Sequence, residues 1–221
     1  ESDEPVRRLF DPVNLTDGLP YWMNGMWLAR RNKPRLAVDM FTGGRSHSNM
    51  FFSMERASLD RLPALLRLVL GLAGQLPPDY GMIHSLSDAE TLEARAAGRP
   101  DLMTVNRVTN RSVITAGYTH QLKNGLPALY WGNLFGPAYI DLFGRDRLLS
   151  APAALITEEP WGVYMQVSGE PPTDDSWLSF CAERDEVIRH LGADAFWPNA
   201  TRISSAMSQF ELPPSPDPVP N

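Results

Sequence analysis

The sequence predicts an α+β protein, built from an antiparallel-rich sheet or sheets with a long buried helix and a C-terminal amphipathic helix packed on one side. Three observations lead there. Short aromatic and β-branched runs separated by turn residues fill much of the first 55 positions, the pattern of an antiparallel meander. Leucines recur at helical spacing over residues 59–73, and a second helical pattern covers 177–191. The elements do not alternate as strand, helix, strand, which is the mark of a parallel sheet.

Residues 1–20 are polar and hold turn formers such as Asp11, Pro12, Asp17 and Gly18. They read as an irregular lead-in with a short helical turn at 6–10. Residues 21–30, 35–42 and 48–55 then supply three strands, with Gly43 and Gly44 in the second turn. Ser58 or Asp60 caps the helix over 59–73, and Pro63 is tolerated in its first turn. Leu68 and Leu72 widen its apolar stripe, so it is expected to be deeply buried, and Gly74, Pro77 and Pro78 stop it. A short strand follows at 80–85. Ser87 caps a polar helix over 88–97, where Asp88 and Glu90 complement the helix dipole.

Residues 98–110 carry no readable pattern. A strand is expected over 113–121 and another within 126–135, at Ala128, Leu129, Tyr130 and Trp131. Gly136 and Pro137 open a short helix over 138–143, closed by Gly144. Residues 154–158 and 161–168 form a hairpin around Glu159 and Pro160. A polar loop, 169–175, leads to the last helix, whose apolar stripe is Trp177, Phe180, Cys181, Ile188 and Leu191. Its other face carries Glu183, Asp185, Glu186 and Arg189. No Ser/Gly linker or internal repeat interrupts the chain. A single domain over 1–211, with two pseudo-halves meeting near 98–112, is the economical reading. The tail 212–221 has five prolines in ten residues and reads as extended and mobile.

At 43% hydrophobic and 21% charged residues, the chain has enough apolar content for a core and too little charge for wholesale disorder. No apolar run approaches the roughly 18 residues of a membrane span, so a soluble protein is expected. The start at Glu1 shows no signal peptide. The expected compartment is the cytoplasm, or the periplasm if a leader was removed before Glu1.

The net charge of −6 is unevenly spread. Residues 151–221 hold 11 acidic side chains against Arg184, Arg189 and Arg202, a balance of −8. Residues 1–150 hold 17 basic and 15 acidic groups, a balance of +2. A nucleic-acid binder needs a clustered basic face for phosphates. The one basic cluster here, Arg30, Arg31, Lys33 and Arg35, flanks Asn32 and Pro34 and reads as a solvated hairpin end.

The usual catalytic signatures are missing: no phosphate loop, no G-x-G-x-x-G and no G-x-S-x-G elbow. Gly43, Gly44, Arg45 and Ser46 lack the spacing of a phosphate loop, and a hairpin turn explains them better. His47, His84, His120 and His190 show no metal-ligand spacing, and the lone Cys181 lies on an apolar helix stripe, where it serves as a small hydrophobe. Glu158 and Glu159 are strand neighbours that point to opposite faces, so they form no acid/base dyad. No enzyme, cofactor or metal emerges from these residues.

The segment 130–144, Y-W-G-N-L-F-G-P-A-Y-I-D-L-F-G, resembles bacterial immunity proteins of type VI secretion and other polymorphic toxins, and is similar to the immunity protein 52 group. In these families a strand ends in an aromatic/Asn step, then a G-P-x-Y-[IV]-x-x-[FL]-G helix, then a two-strand hairpin. The apolar helix leading into P-P-D-Y-G at 77–81 fits as well, and the likeness covers roughly residues 50–170. It implies a non-enzymatic antitoxin that binds a cognate toxin and covers its active site. For a cationic nuclease toxin, carboxylates compete with the substrate phosphates and steer the encounter.

The expected toxin-binding rim is Glu158, Glu159, Asp174, Asp175, Glu183 and Glu186, with Asp141 as a further contact. The expected partner is the toxin, with no nucleic acid and no membrane. The alternative is a small hydrolase or transferase whose site gathers distant groups such as His84, His120 and Asp141.

Overall fold

A computed structural model describes residues 25–30, 36–41, 49–54, 62–85, 87–96, 103–105, 112–114, 122, 125–197 and 200–207. The lead-in 1–20, the tail 212–221 and His120 lie outside the described residues.

The first three strands are β1 (Gly25–Arg30), β2 (Leu36–Phe41) and β3 (Asn49–Met54). They pair antiparallel in the order β1-β2-β3, as the turn-separated apolar runs predict. Arg30 lies opposite Leu36 and Phe41 opposite Asn49. Of the basic cluster, Arg30 ends β1, while Arg31, Lys33 and Arg35 and the glycine pair at 43 and 44 lie outside the described residues.

Helix α1 (Leu62–Gln75) follows, with Pro63 in its first turn. Its burial departs from the expectation. Ala73 is its one buried residue, Leu62, Leu66, Val69 and Leu70 pack half-buried against the core, and Leu68 is 48% exposed. Apolar residues all round a helix predict burial on every side, but here only one stripe is covered.

Strand β4 (Tyr80–Ile83) and helix α2 (Asp88–Ala96) come next. Ser87 caps α2 as expected, its Oγ accepting the Glu90 backbone N–H at 3.0 Å. Glu90, however, turns inward and is buried. Strands β5 (Met103–Val105) and β6 (Ser112–Ile114) form a separate antiparallel ribbon. β5 falls in the stretch where the sequence carries no readable pattern, and β6 overlaps the strand expected over 113–121 at residues 113 and 114, with 115–121 outside the described residues.

The remaining elements are β7 (Gly132–Phe135), α3 (Pro137–Phe143), α4 (Arg145–Leu149), β8 (Leu155–Glu159), β9 (Gly162–Gln166) and α5 (Trp177–Leu191). Two 3-10 turns, Ala193–Ala195 and Ser205–Met207, close the described chain. β4, β7, β9 and β8 form a four-stranded sheet in that order, antiparallel throughout. The protein is therefore α+β.

The strand expected at 128–131 begins instead at Gly132. The reason is local. Asn133, fully buried at 0% exposure, accepts the Tyr130 N–H on Oδ1 at 2.9 Å and donates from Nδ2 to the Tyr130 carbonyl at 2.7 Å. The Trp131 N–H goes to His84 Nδ1 at 3.1 Å. Side chains satisfy the main-chain groups that a ladder would otherwise need.

β7 and β9 lie at the centre of the sheet and are buried along nearly their whole length. Phe135 of β7 and Val163 and Met165 of β9 form one apolar core with Leu148, Val187 and Leu191, each such side chain contributing about 1.5–3 kcal/mol when fully buried. Tyr139 of α3 packs among Tyr80, Phe135 and Phe143 at ring separations of 5.4–6.4 Å. Its hydroxyl is buried without a hydrogen-bond partner, and burial raises its pKa, with Asp79 adding to the rise. Tyr139→Phe keeps the ring and removes the stranded hydroxyl. The expected outcome is a gain of about 1 kcal/mol in urea unfolding, and a loss of stability would show that the hydroxyl is satisfied by water.

Candidate functional site

The acidic C-terminal third is organised by α5. Its bounds follow from the polar turn before it and Gly192 after it. In that turn Thr173 N donates to Ser176 Oγ at 2.9 Å while Ser176 N donates to Thr173 Oγ1 at 3.2 Å. Trp177, Phe180, Val187 and Leu191 face the core. Trp177 Nε1 donates to Glu93 Oε2 of α2 at 2.7 Å, and Asp174 Oδ1 accepts the Ala89 N–H at 3.1 Å. The start of α5 is thus tied to the start of α2.

The cations of this third are mostly spent inside the molecule. The Arg184 guanidinium lies over the rings of Trp177 and Phe180, at 5.6 and 5.9 Å from their centroids. Arg202 donates from Nε and Nη2 to the two carboxylate oxygens of Asp194 at 2.6 and 2.9 Å, and from Nη1 to the Leu142 carbonyl at 2.8 Å. That bidentate pairing holds the Asp194 carboxyl below its ordinary pKa.

The seven acidic residues expected at the rim separate into three places. Asp174, Asp175, Glu183 and Glu186 belong to α5 and the turn before it, and all four are exposed. Glu183 and Glu186 are three apart on the helix, hence on one face, about 4.5 Å along its axis. Glu158 and Glu159 stand at the far end of β8, where Glu158 is ion-paired with Arg145 of α4. Asp141 is exposed on α3. Two of the seven already have internal work: Glu158 in its ion pair and Asp174 as a cap on α2. Among the described residues, the side chains of Glu159, Asp175, Glu183, Glu186 and Asp141 make no hydrogen bond or ion pair.

A polar feature that the sequence reading passed over lies beneath this surface. Glu90, buried inside α2, meets His84 with Oε2 2.8 Å from Nε2. Because the Trp131 N–H donates to Nδ1, Nδ1 is the acceptor and Nε2 carries the proton given to Glu90. The imidazole packs on Tyr130 and Phe180. The serine cap with glutamate three residues on is visible in the sequence, but nothing there shows that the glutamate turns inward to a histidine six residues back.

Both ring nitrogens of His84 are occupied, and Asp141 is exposed on a different element, so the structure does not bring these two together. Among the described residues no three His, Cys, Asp or Glu side chains are grouped to hold a metal ion. Cys181 is half-buried, and burial pushes its thiol pKa up, which disfavours the thiolate.

No family model, curated protein or solved structure matches this chain.

Proposed function

We propose that the protein is an immunity protein that binds a cationic antibacterial toxin, a nuclease in the first instance, and blocks its active site with the surface of α5. The observation that carries this reading is the division of charge. The third of the chain with the acidic excess folds its arginines Arg184 and Arg202 onto aromatic rings and Asp194, while the side chains of Asp175, Glu183 and Glu186 stay exposed without partners among the described residues. Carboxylates that stabilise nothing within the fold are free to meet a basic surface. The likeness of 130–144 to immunity proteins points the same way. Among the described residues no helix is long and apolar enough to cross a membrane, and the proposed place of action is the cytoplasm, where a nuclease meets nucleic acid.

The triple substitution Asp175→Lys, Glu183→Lys and Glu186→Lys tests this reading, with Asp174 left in place because it caps α2. Binding is measured to the toxic polypeptide encoded beside this chain, titrated at two salt concentrations. The expected result is an affinity loss on the order of 10²-fold at low salt, mostly in the association rate, and a flatter salt dependence. An unchanged affinity and salt slope would remove α5 from the interface. A neighbouring gene product that neither kills nor binds would end the immunity reading itself.

A further inference from the structure

The four-stranded sheet ends on β8, and the geometry of that edge can be worked out from the hairpin. Pro160 and Trp161 form a two-residue loop, with Glu159 paired to Gly162. A loop this short makes the closing pair exchange both of its backbone hydrogen bonds. Alternation then makes Thr157 with Tyr164 and Leu155 with Gln166 the other bonded pairs. The same alternation turns the N–H and C=O of Ile156 and Glu158 away from β9. The opposite flank of β9 agrees: the Val167 N–H, in phase with Val163 and Met165, donates to the Trp131 carbonyl on the β7 side at 2.8 Å. Among the described residues, no backbone group meets Ile156 or Glu158 from outside.

The edge has a defined side-chain pattern. Leu155, Thr157 and Glu159 share one face of β8, and Ile156 and Glu158 the other. Ile156 packs against the core. Leu155 is 45% exposed, and the Glu159 side chain is without a partner among the described residues. A second copy of the chain is a poor occupant, because joining two such edges brings four carboxylates into one sheet while each Arg145 answers only one. A strand of opposite charge fits.

We infer that the outer edge of β8 accepts an extended, basic segment of a protein partner as a fifth strand of the sheet. The segment carries a lysine or arginine opposite Glu159 and an apolar residue four positions away, opposite Leu155. Main-chain bonds from Ile156 and Glu158 supply affinity, and Glu159 and Leu155 supply selection. This rests on the reading of a cationic protein partner and adds a second contact to the α5 surface.

A nine-residue peptide of threonines with lysine at its third position and valine at its seventh, four positions on, serves as the probe, with a copy N-methylated along one edge as control, each titrated against the full chain. Glu158→Ala removes only the side chain. Glu158→Pro also removes the outward N–H, and an edge strand tolerates proline where the N–H faces solvent. The expected result is binding by wild type, a fall of about threefold or less for Glu158→Ala, and a further fall of about tenfold for Glu158→Pro. The methylated peptide also loses about tenfold. Equal affinity of the two peptides, no binding by wild type, or a wild-type dimer that Glu158→Pro splits overturns the proposal. If Glu158→Pro does not fold, the methylated peptide decides. Failure of the immunity reading leaves these ratios untouched, since the α5 triple variant loses the toxin while keeping the peptide.

Discussion

Asn133→Asp is expected to cost about 3–5 kcal/mol, a large part of the 5–15 kcal/mol that holds a typical domain together. The two side chains have nearly the same shape, so packing is conserved and the polar groups decide. Aspartate keeps an oxygen for the Tyr130 N–H but loses the Nδ2 donor that meets the Tyr130 carbonyl at 2.7 Å. It sets a second oxygen against that carbonyl, in a site with no exposure to water. The Tyr80 hydroxyl, which donates to Oδ1 at 3.3 Å, offsets little of this. Asn133→Leu is expected to cost about 3 kcal/mol, because it removes the partners of a buried amide and carbonyl without burying a charge. Urea unfolding reads both, and a pH series separates them: the aspartate variant should regain stability as acid protonates its carboxyl. A loss under 1 kcal/mol for either would mean that the chain before β7 satisfies itself without this side chain.

The same residue shows where sequence legibility stops. The bounds of α5 were readable because a polar turn and Gly192 enclose an amphipathic repeat of four turns. The α3 helix was readable because Gly136, Pro137 and Gly144 mark both ends. The strand before α3 was misplaced by a few residues because Ala128, Leu129, Tyr130 and Trp131 have β-forming side chains, and propensity does not record that Asn133 and His84 occupy the backbone there. Helix α4 was missed since Arg145–Leu149 buries only Leu148, and five residues cannot display a helical period. In α1 the leucines disclosed a helix but not which of its sides is covered.

The candidate site divides in the same way. Its acidic excess is a matter of composition and is legible in the sequence. Which carboxylates are free depends on contacts between distant residues, Arg145 with Glu158 and Ala89 with Asp174, and no local pattern encodes those.

Gly162→Ala and Gly136→Ala are each expected to destabilise by about 3 kcal/mol, through contact with backbone. A methyl on Gly162 would lie 2.1 Å from the Phe135 carbonyl oxygen, and one on Gly136 2.0 Å from the Pro78 carbonyl oxygen. At Gly136 the backbone has φ −77°, a conformation alanine adopts freely, so the whole penalty there is steric. Neither obstructing group is a side-chain tip that can swing aside: both are main-chain oxygens, of Phe135 in β7 and of Pro78 just before β4. Gly136 also donates its N–H to the Asp79 carbonyl at 2.9 Å, so any shift that relieves the clash stretches that bond. The two sites are coupled, since the methyl on Gly162 would stand 3.2 Å from Gly136 Cα. Moving β9 away from β7 relieves the clash at Gly162 but not the one at Gly136, whose obstructing oxygen lies on the β4 side, so the double variant should cost at least the sum of the two. Gly169→Ala, with nothing within 4 Å, is the control and should stay within about 0.5 kcal/mol of wild type. Gly162 also closes the hairpin that presents β8. Gly162→Ala should thus weaken peptide binding and stability together, while Glu158→Pro weakens binding with the core intact. Parallel losses for both variants would place the binding determinant in the integrity of the sheet rather than in its open edge.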